Sequence, residues 1–123
     1  MARILIADDD RDFADQLTLV LQTAGHEVLV CANGKEALVS LTAFPADWVI
    51  LDMRMAYTMD GLDTLWQIRR HPAGSQAKVL IASALDGQIG DIQQKATQLG
   101  IAGWLRKPVA PTEVLDWVKG QTP

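Results

Sequence analysis

At 123 residues the chain has the length of one ordinary domain, and 49% hydrophobic residues without a low-complexity tract supply the material for a core. A net charge of −4 and a pI near 4.9 argue against direct nucleic-acid binding, which needs clustered Lys and Arg, and suit a cation site or a basic partner better. No apolar run is long enough to span a bilayer and no secretion signal opens the sequence, so a cytoplasmic location away from membranes is expected.

Ile4-Leu5-Ile6-Ala7 is a short continuous apolar run, as expected of a strand buried on both faces. From Asp12 to Ala24, Phe13, Leu17, Val20, Leu21 and Ala24 recur at helical spacing, and Gly25 stands where a helix stops. Val28–Ala32 reads as a second strand; it contains the single Cys31, expected to be a small buried hydrophobe. After Asn33-Gly34 a short helix carries Ala37, Leu38 and Leu41 and closes at Phe44-Pro45. Trp48–Leu51 is a third strand ending at Asp52, and Asp60-Gly61 opens a helix through Leu62, Leu65, Trp66 and Ile68 that ends before His71-Pro72.

Val79–Ala82 is a fourth strand ending at Ser83, and a more polar helix runs from Ile89 to Leu99, stopped by Gly100. Trp104-Leu105 lies in a short fifth strand that ends at Lys107-Pro108, and a last helix from about Pro111 carries Val114, Leu115 and Val118. Trp48, Trp66 and Trp117 fall in apolar patterns and read as core or helix-face residues, while His26 and His71 lack metal-ligand spacing and read as surface. Five strands alternating with five helices over short loops predict one α/β domain over residues 1–123, a doubly wound parallel sheet. Residues 120–123 read as the start of a linker.

In such a sheet the ligand crevice lies beyond the carboxyl ends of the strands, where strand order reverses. Strand one runs into Asp8, Asp9 and Asp10, strand three into Asp52, strand four into Ser83 and strand five into Lys107. With the flavodoxin-like order 2-1-3-4-5 these groups would share one mouth. Two carboxylates about 5 Å apart repel by about 3 kcal/mol at an effective dielectric near 20. A hard divalent cation removes that cost, and Mg²⁺ held by one or two carboxylates plus waters is a common phosphate-handling arrangement. Lys107 and Ser83 would neutralise and hydrogen-bond phosphoryl oxygens, and an Asp carboxylate is a nucleophile able to form an acyl phosphate. The residues alone therefore point to Mg²⁺-assisted phosphoryl transfer to an aspartate, with Asp10 a cap or first-turn acid of helix one.

The same residues carry a family resemblance across essentially the whole chain. The strand entering Asp8-Asp9, the Val-Ile-Leu-Asp52 strand end, Met59-Asp60-Gly61, Ser83-Ala84 and Gly103-Trp104-Leu105-Arg106-Lys107-Pro108 follow in order, 43 residues from Asp9 to Asp52, 31 to Ser83 and 24 to Lys107. This pattern resembles the receiver domain of two-component response regulators, chemotaxis regulators among them. The resemblance implies that Asp52 accepts a phosphoryl group from the phosphohistidine of a sensor histidine kinase or phosphotransfer protein. It implies that Asp9 ligates Mg²⁺ (or Mn²⁺) directly, with Asp8 nearby or through water, Asp52, and the backbone carbonyl of Arg54. Ser83 and Lys107 would hold the phosphoryl group, and Trp104 stands where the family carries a switching Tyr or Phe. A signalling domain rather than a turnover enzyme is implied, promoting its own phosphorylation and hydrolysis. Its face of helix four, strand five and helix five would be read by a partner protein, an output domain or a second copy in a homodimer. The chain departs from the family in its loop Met55–Met59, which is one residue longer and lacks the usual Pro.

Two other chemistries are weighed against this one. An aspartate-nucleophile phosphatase would use an Asp-x-Asp at the first strand, which Asp8-Asp9-Asp10 mimics, but usually adds a cap domain. A flavodoxin-like nucleotide module would need a Gly-rich phosphate loop after strand one, which is absent.

Overall fold

The structure, a computed structural model, describes residues 1–53, 61–84 and 91–120. Five strands, β1 (Arg3–Ala7), β2 (Glu27–Cys31), β3 (Trp48–Leu51), β4 (Lys78–Ser83) and β5 (Gly103–Arg106), form one sheet in the order β2-β1-β3-β4-β5, every pair parallel. The helices between and after them are α1 (Arg11–Thr23), α2 (Gly34–Ala43), α3 (Gly61–Arg70), α4 (Ile92–Leu99) and α5 (Pro111–Val118). Among the described residues no helix is long and apolar enough to cross a membrane.

The period-2 alternation of strand side chains sorts the core into two layers. Ile4, Ile6, Trp48, Ile50, Leu80 and Ala82 meet α1 (Ala14, Leu17, Leu21) and α5 (Val114) on one face. Leu5, Ala7, Val49, Leu51, Val79 and Ile81 meet α2 (Ala37, Leu41), α3 (Leu65, Ile68) and α4 (Ala96) on the other. Right-handed crossovers account for the division: the chain steps one way from β1 to β2 and the other way from there on, so α1 lies opposite α2, α3 and α4. The reversal falls between β1 and β3.

Local signals set the helix ends. The Asp10 side chain accepts the Phe13 N–H at 3.2 Å and caps α1. Asn33 and Glu36 cap α2 reciprocally, Asn33 Oδ1 accepting from the Glu36 N–H at 2.8 Å and Asn33 Nδ2 donating to Glu36 Oε2 at 3.0 Å. Pro111 occupies the first turn of α5, where its missing N–H costs nothing. Gly25 and Gly100 follow α1 and α4 at φ of 96° and 95°.

Several boundaries differ from the sequence reading. β2 runs Glu27–Cys31 rather than to Ala32, and Ser83 is the last residue of β4 rather than the first beyond it. α4 begins at Ile92; Ile89, where the polar pattern starts, lies outside the described residues, as do Arg54, the loop Met55–Met59, Asp60 and the terminal 121–123. The histidines are not plain surface residues. Both are half-buried: His26 Nδ1 accepts the Ala2 N–H at 3.0 Å and His71 Nδ1 the Ala73 N–H at 3.0 Å, so each fastens a loop backbone that periodicity says nothing about. Cys31 is buried, as expected, and Trp48 lies in the core while Trp66 is 43% exposed with the Arg70 guanidinium 4.5 Å from its ring centre.

Arg69 joins three segments that the strands leave unconnected. Its Nε and Nη2 donate to the carbonyls of Leu99 and Gly100 at the end of α4, and its Nη1 donates to those of Gly74, Ser75 and Ala77 before β4. A planar five-donor cation can serve several carbonyls at once, which suits the position better than lysine would. Arg69→Met should lower the unfolding free energy by about 2–4 kcal/mol in urea titrations, whereas Arg70→Met, next to it on the exposed face, should cost less than about 1 kcal/mol.

Candidate functional site

Ladder hydrogen bonds continue just past the strands and fix where the polar residues emerge. The Asp8 N–H donates to Cys31 O at 2.9 Å, the Asp52 N–H to Ala7 O at 3.0 Å, and the Lys107 N–H to Ser83 O at 2.8 Å. Asp8 and Asp52 therefore leave adjacent parallel strands at the point where strand order reverses, and Ser83 and Lys107 leave the next pair. Behind them α3 presses close against the chain. A Cβ on Gly61 would overlap Met53 Cα and come within 3.0 Å of Asp52 O, so only glycine fits against the backbone that carries Asp52.

At the mouth, Asp8, Asp9 and Asp52 each offer a carboxylate oxygen within 4.8 Å of the other two. Asp8 and Asp52 are 2% and 5% exposed, and Asp9 lies on the solvent side. Lys107 stands among them. Its Nζ donates to Asp8 Oδ2 at 2.8 Å and lies 3.5 Å from Asp52 Oδ2 and 3.9 Å from Asp10 Oδ2. The Ser83 hydroxyl, fully buried, donates to Asp52 Oδ1 at 2.7 Å. The Asp10 N–H donates to Asp8 Oδ1 at 2.9 Å and holds that carboxylate in place.

The Lys107 ammonium is shared among Asp8, Asp52 and Asp10. Burial pushes the Asp8 carboxyl up from 3.8 to about 6, with the Asp52 charge adding to the rise, against the lowering effect of Lys107 and the Asp10 N–H. Burial by itself would lower the Lys107 pKa, but the hydrogen bond to Asp8 and the charges of Asp8, Asp52 and Asp10 outweigh it, and Lys107 titrates above its ordinary value. The donor set is all oxygen, partly buried and open to solvent at Asp9. That fits a small hard divalent cation such as Mg²⁺ or Mn²⁺.

Of the residues singled out from sequence, Asp8, Asp9, Asp52, Ser83 and Lys107 thus come together in one mouth. Asp10 caps α1 and also faces Lys107. Arg54 lies outside the described residues. Trp104 is half-buried on the α4 face of β5, and its buried indole N–H has no hydrogen-bond partner among the described residues. An orphaned donor of this kind costs about 1–3 kcal/mol. Sequence reasoning missed Phe13, whose ring centre lies 4.5 Å from Lys107 Nζ. In the sequence it is one more apolar residue of a helical stripe; only its place in the first turn after Asp8–Asp10 hints that it borders the site.

The Asp8 proton carries a pH signature. Asp8 titrates higher in the folded chain than in the unfolded one, so between pH 4 and 6 the folded state keeps a proton that the unfolded state has released. Stability is lost as pH rises through that window, and the rise from 3.8 to about 6 corresponds to about 3 kcal/mol. Without divalent ions, Asp8→Asn should therefore gain on the wild type by about 2–3 kcal/mol between pH 3.5 and 7 in unfolding titrations. A gap between the two proteins that stays constant with pH would contradict this.

The family model for the response regulator receiver domain matches residues 4–119. The response regulator receiver protein Anae109_2439 of Anaeromyxobacter sp. (strain Fw109-5) is 38% identical over 94% of this chain, which spans about half (47%) of that protein's length. The chemotaxis protein CheY4 of Vibrio cholerae superposes with a TM-score of 0.87 at 28% identity, covering 98% of each chain. A putative response regulator from Chloroflexus aurantiacus J-10-fl superposes with a TM-score of 0.83 at 33% identity, over 97% of this chain and 95% of that one. With the parallel order β2-β1-β3-β4-β5 and the acidic mouth at its reversal point, these matches show that the chain belongs to the response regulator receiver domain family.

Proposed function

We propose that this domain accepts a phosphoryl group on Asp52 and uses the resulting change in charge to switch a protein-binding face. The observation that carries the reading is the convergence of Asp8, Asp9 and Asp52 within 4.8 Å, with Lys107 and Ser83 both directed at Asp52.

Asp9 and Asp52, with Asp8 directly or through water and the backbone carbonyl of Arg54, would hold Mg²⁺ or Mn²⁺. Bound there, the cation offsets the negative charge that gathers on the phosphoryl oxygens. A carboxylate oxygen of Asp52 attacks the phosphorus of a phosphohistidine on a sensor kinase or phosphotransfer protein. The P–N bond breaks as the P–O bond forms, and the imidazole leaves with the bonding electrons and takes a proton. Ser83, which donates to Asp52 Oδ1 at rest, turns its hydroxyl to a phosphoryl oxygen, and Lys107 moves its ammonium from Asp8 to another. Water later hydrolyses the acyl phosphate and restores the carboxylate; the domain is a signalling switch rather than a turnover enzyme.

The phosphoryl group replaces the single charge of the Asp52 carboxylate by about two. Ser83 ends β4 and Lys107 follows β5, so their movement pulls on the two strands that flank α4 and α5. Trp104 is the switch residue in this reading. Its orphaned indole N–H destabilises the resting arrangement, which leaves the balance between two states within reach of a local charge change. The face of α4, β5 and α5 is then read by a partner protein, by an output domain in a longer polypeptide or by a second copy in a homodimer. Nucleic acid and membrane are not direct ligands of the domain in this reading, and the cytoplasm is its compartment.

With Mg²⁺ and acetyl phosphate the protein should gain one acid-stable, base-labile phosphoryl group, absent in Asp52→Ala and seen by intact-mass spectrometry. Sustained hydrolysis of phosphodonor that survives Asp52→Ala would mean a phosphatase instead.

A further inference from the structure

We propose that Phe13 is a positioning residue for Lys107, its ring serving as the support on which the ammonium moves between Asp8 and an incoming phosphoryl group. The inference rests on the phosphoryl-accepting reading above and adds to it a residue on α1, across the mouth from the strand that delivers the lysine.

The Lys107 ammonium lies 4.5 Å from the centre of the Phe13 ring while hydrogen-bonded to Asp8 Oδ2 at 2.8 Å. A cation at that distance over an aromatic face is attracted by the ring quadrupole, and more strongly where water is thinned; the Lys107 side chain is only 13% exposed. The backbone that carries the ring is tied to the same group of charges. The Phe13 N–H donates to Asp10 Oδ1, and the other oxygen of the same carboxylate lies 3.9 Å from Lys107 Nζ. One aspartate therefore caps α1 at the residue beneath the ammonium and faces the ammonium with its second oxygen. The distance of 3.5 Å to Asp52 Oδ2 is longer than a good hydrogen bond, so the ring and Asp8 together hold the lysine beside the nucleophile without clamping it.

When Lys107 gives up Asp8, the hydrogen bond breaks but the contact with the ring does not depend on it. The ammonium pivots over Phe13 toward the phosphoryl oxygens instead of dispersing into solvent, and less side-chain entropy is lost on reaching them. Phe13 also packs against the apolar layer beneath α1, and a role confined to that packing would leave the lysine indifferent to its aromaticity.

Phe13→Leu and Phe13→Tyr separate the two roles, because both keep apolar bulk and only the second keeps the ring face. In proton NMR spectra of the wild type without metal, the Lys107 ε-methylene resonances should lie upfield of ordinary lysines through the ring current, an offset kept in Phe13→Tyr and lost in Phe13→Leu. Phosphorylation by acetyl phosphate with Mg²⁺ should slow by roughly three- to tenfold in Phe13→Leu and stay near wild type in Phe13→Tyr. In a Lys107→Ala background the leucine substitution should slow it no further. No upfield offset in the wild type, or an equal loss of rate with and without Lys107, would overturn the proposal. If the wild type shows the offset but takes no phosphoryl group, the phosphoryl-accepting reading falls while the lysine–ring contact stands.

Discussion

One ammonium facing a group of carboxylates is the interaction on which the site depends. Lys107 reaches from the end of β5 to Asp8, beyond β1, across a mouth that also holds Asp52, Asp9 and Asp10. That ammonium forms one short hydrogen bond, to Asp8, and faces Asp52 and Asp10 at greater distance. Burial above all, with the Asp52 charge adding to it, pushes the Asp8 carboxyl up to about 6. In the proposed reading a divalent cation and a phosphoryl group would both be drawn to this one group of charges.

The remainder of the fold keeps these groups together. Ile4 to Ala7, Val49, Leu51 and Val79 to Ala82 are fully buried, so the strand ends cannot drift apart without opening both layers of the core. Gly61 lets α3 pack on the backbone beside Asp52, and the ladder bonds of Asp8, Asp52 and Lys107 tie each acid or amine to a neighbouring strand. At the far end, Arg69 pins the close of α4 to the approach to β4.

The strands were legible in the residues because strands buried on both faces leave continuous apolar runs and Gly or Pro marks the exits; their order came with the family resemblance. Ile4–Ala7 and Trp48–Leu51 are such runs, and the acids following each fall at a common mouth once the order 2-1-3-4-5 is taken. Boundaries were less legible where polarity and burial part company. β2 is an edge strand with half its residues open to solvent, and its limits slipped by one residue. Contacts that depend on side-chain reach left no periodic trace. In the sequence Arg69 is one of two adjacent arginines before His71-Pro72, and nothing there marks it, yet it donates to carbonyls of two segments while Arg70 stacks on Trp66. The two histidines looked like surface residues because a single backbone N–H bonded to a ring nitrogen has no sequence pattern. Phe13 was hidden for the same reason: an aromatic ring beneath a lysine 94 positions later is a fact of the closed sheet, not of the stripe it belongs to.

The central claim is that Asp8, Asp9 and Asp52 act as one divalent-cation site, and side-chain carboxyl ¹³C NMR during a Mg²⁺ titration tests it most directly. The resonances of these three residues should shift together along a single saturable isotherm, with Asp12 and Asp15 on the flank of α1 unmoved. Resonances that ignore Mg²⁺ altogether, or that drift no more than those of the flanking aspartates, would contradict the account.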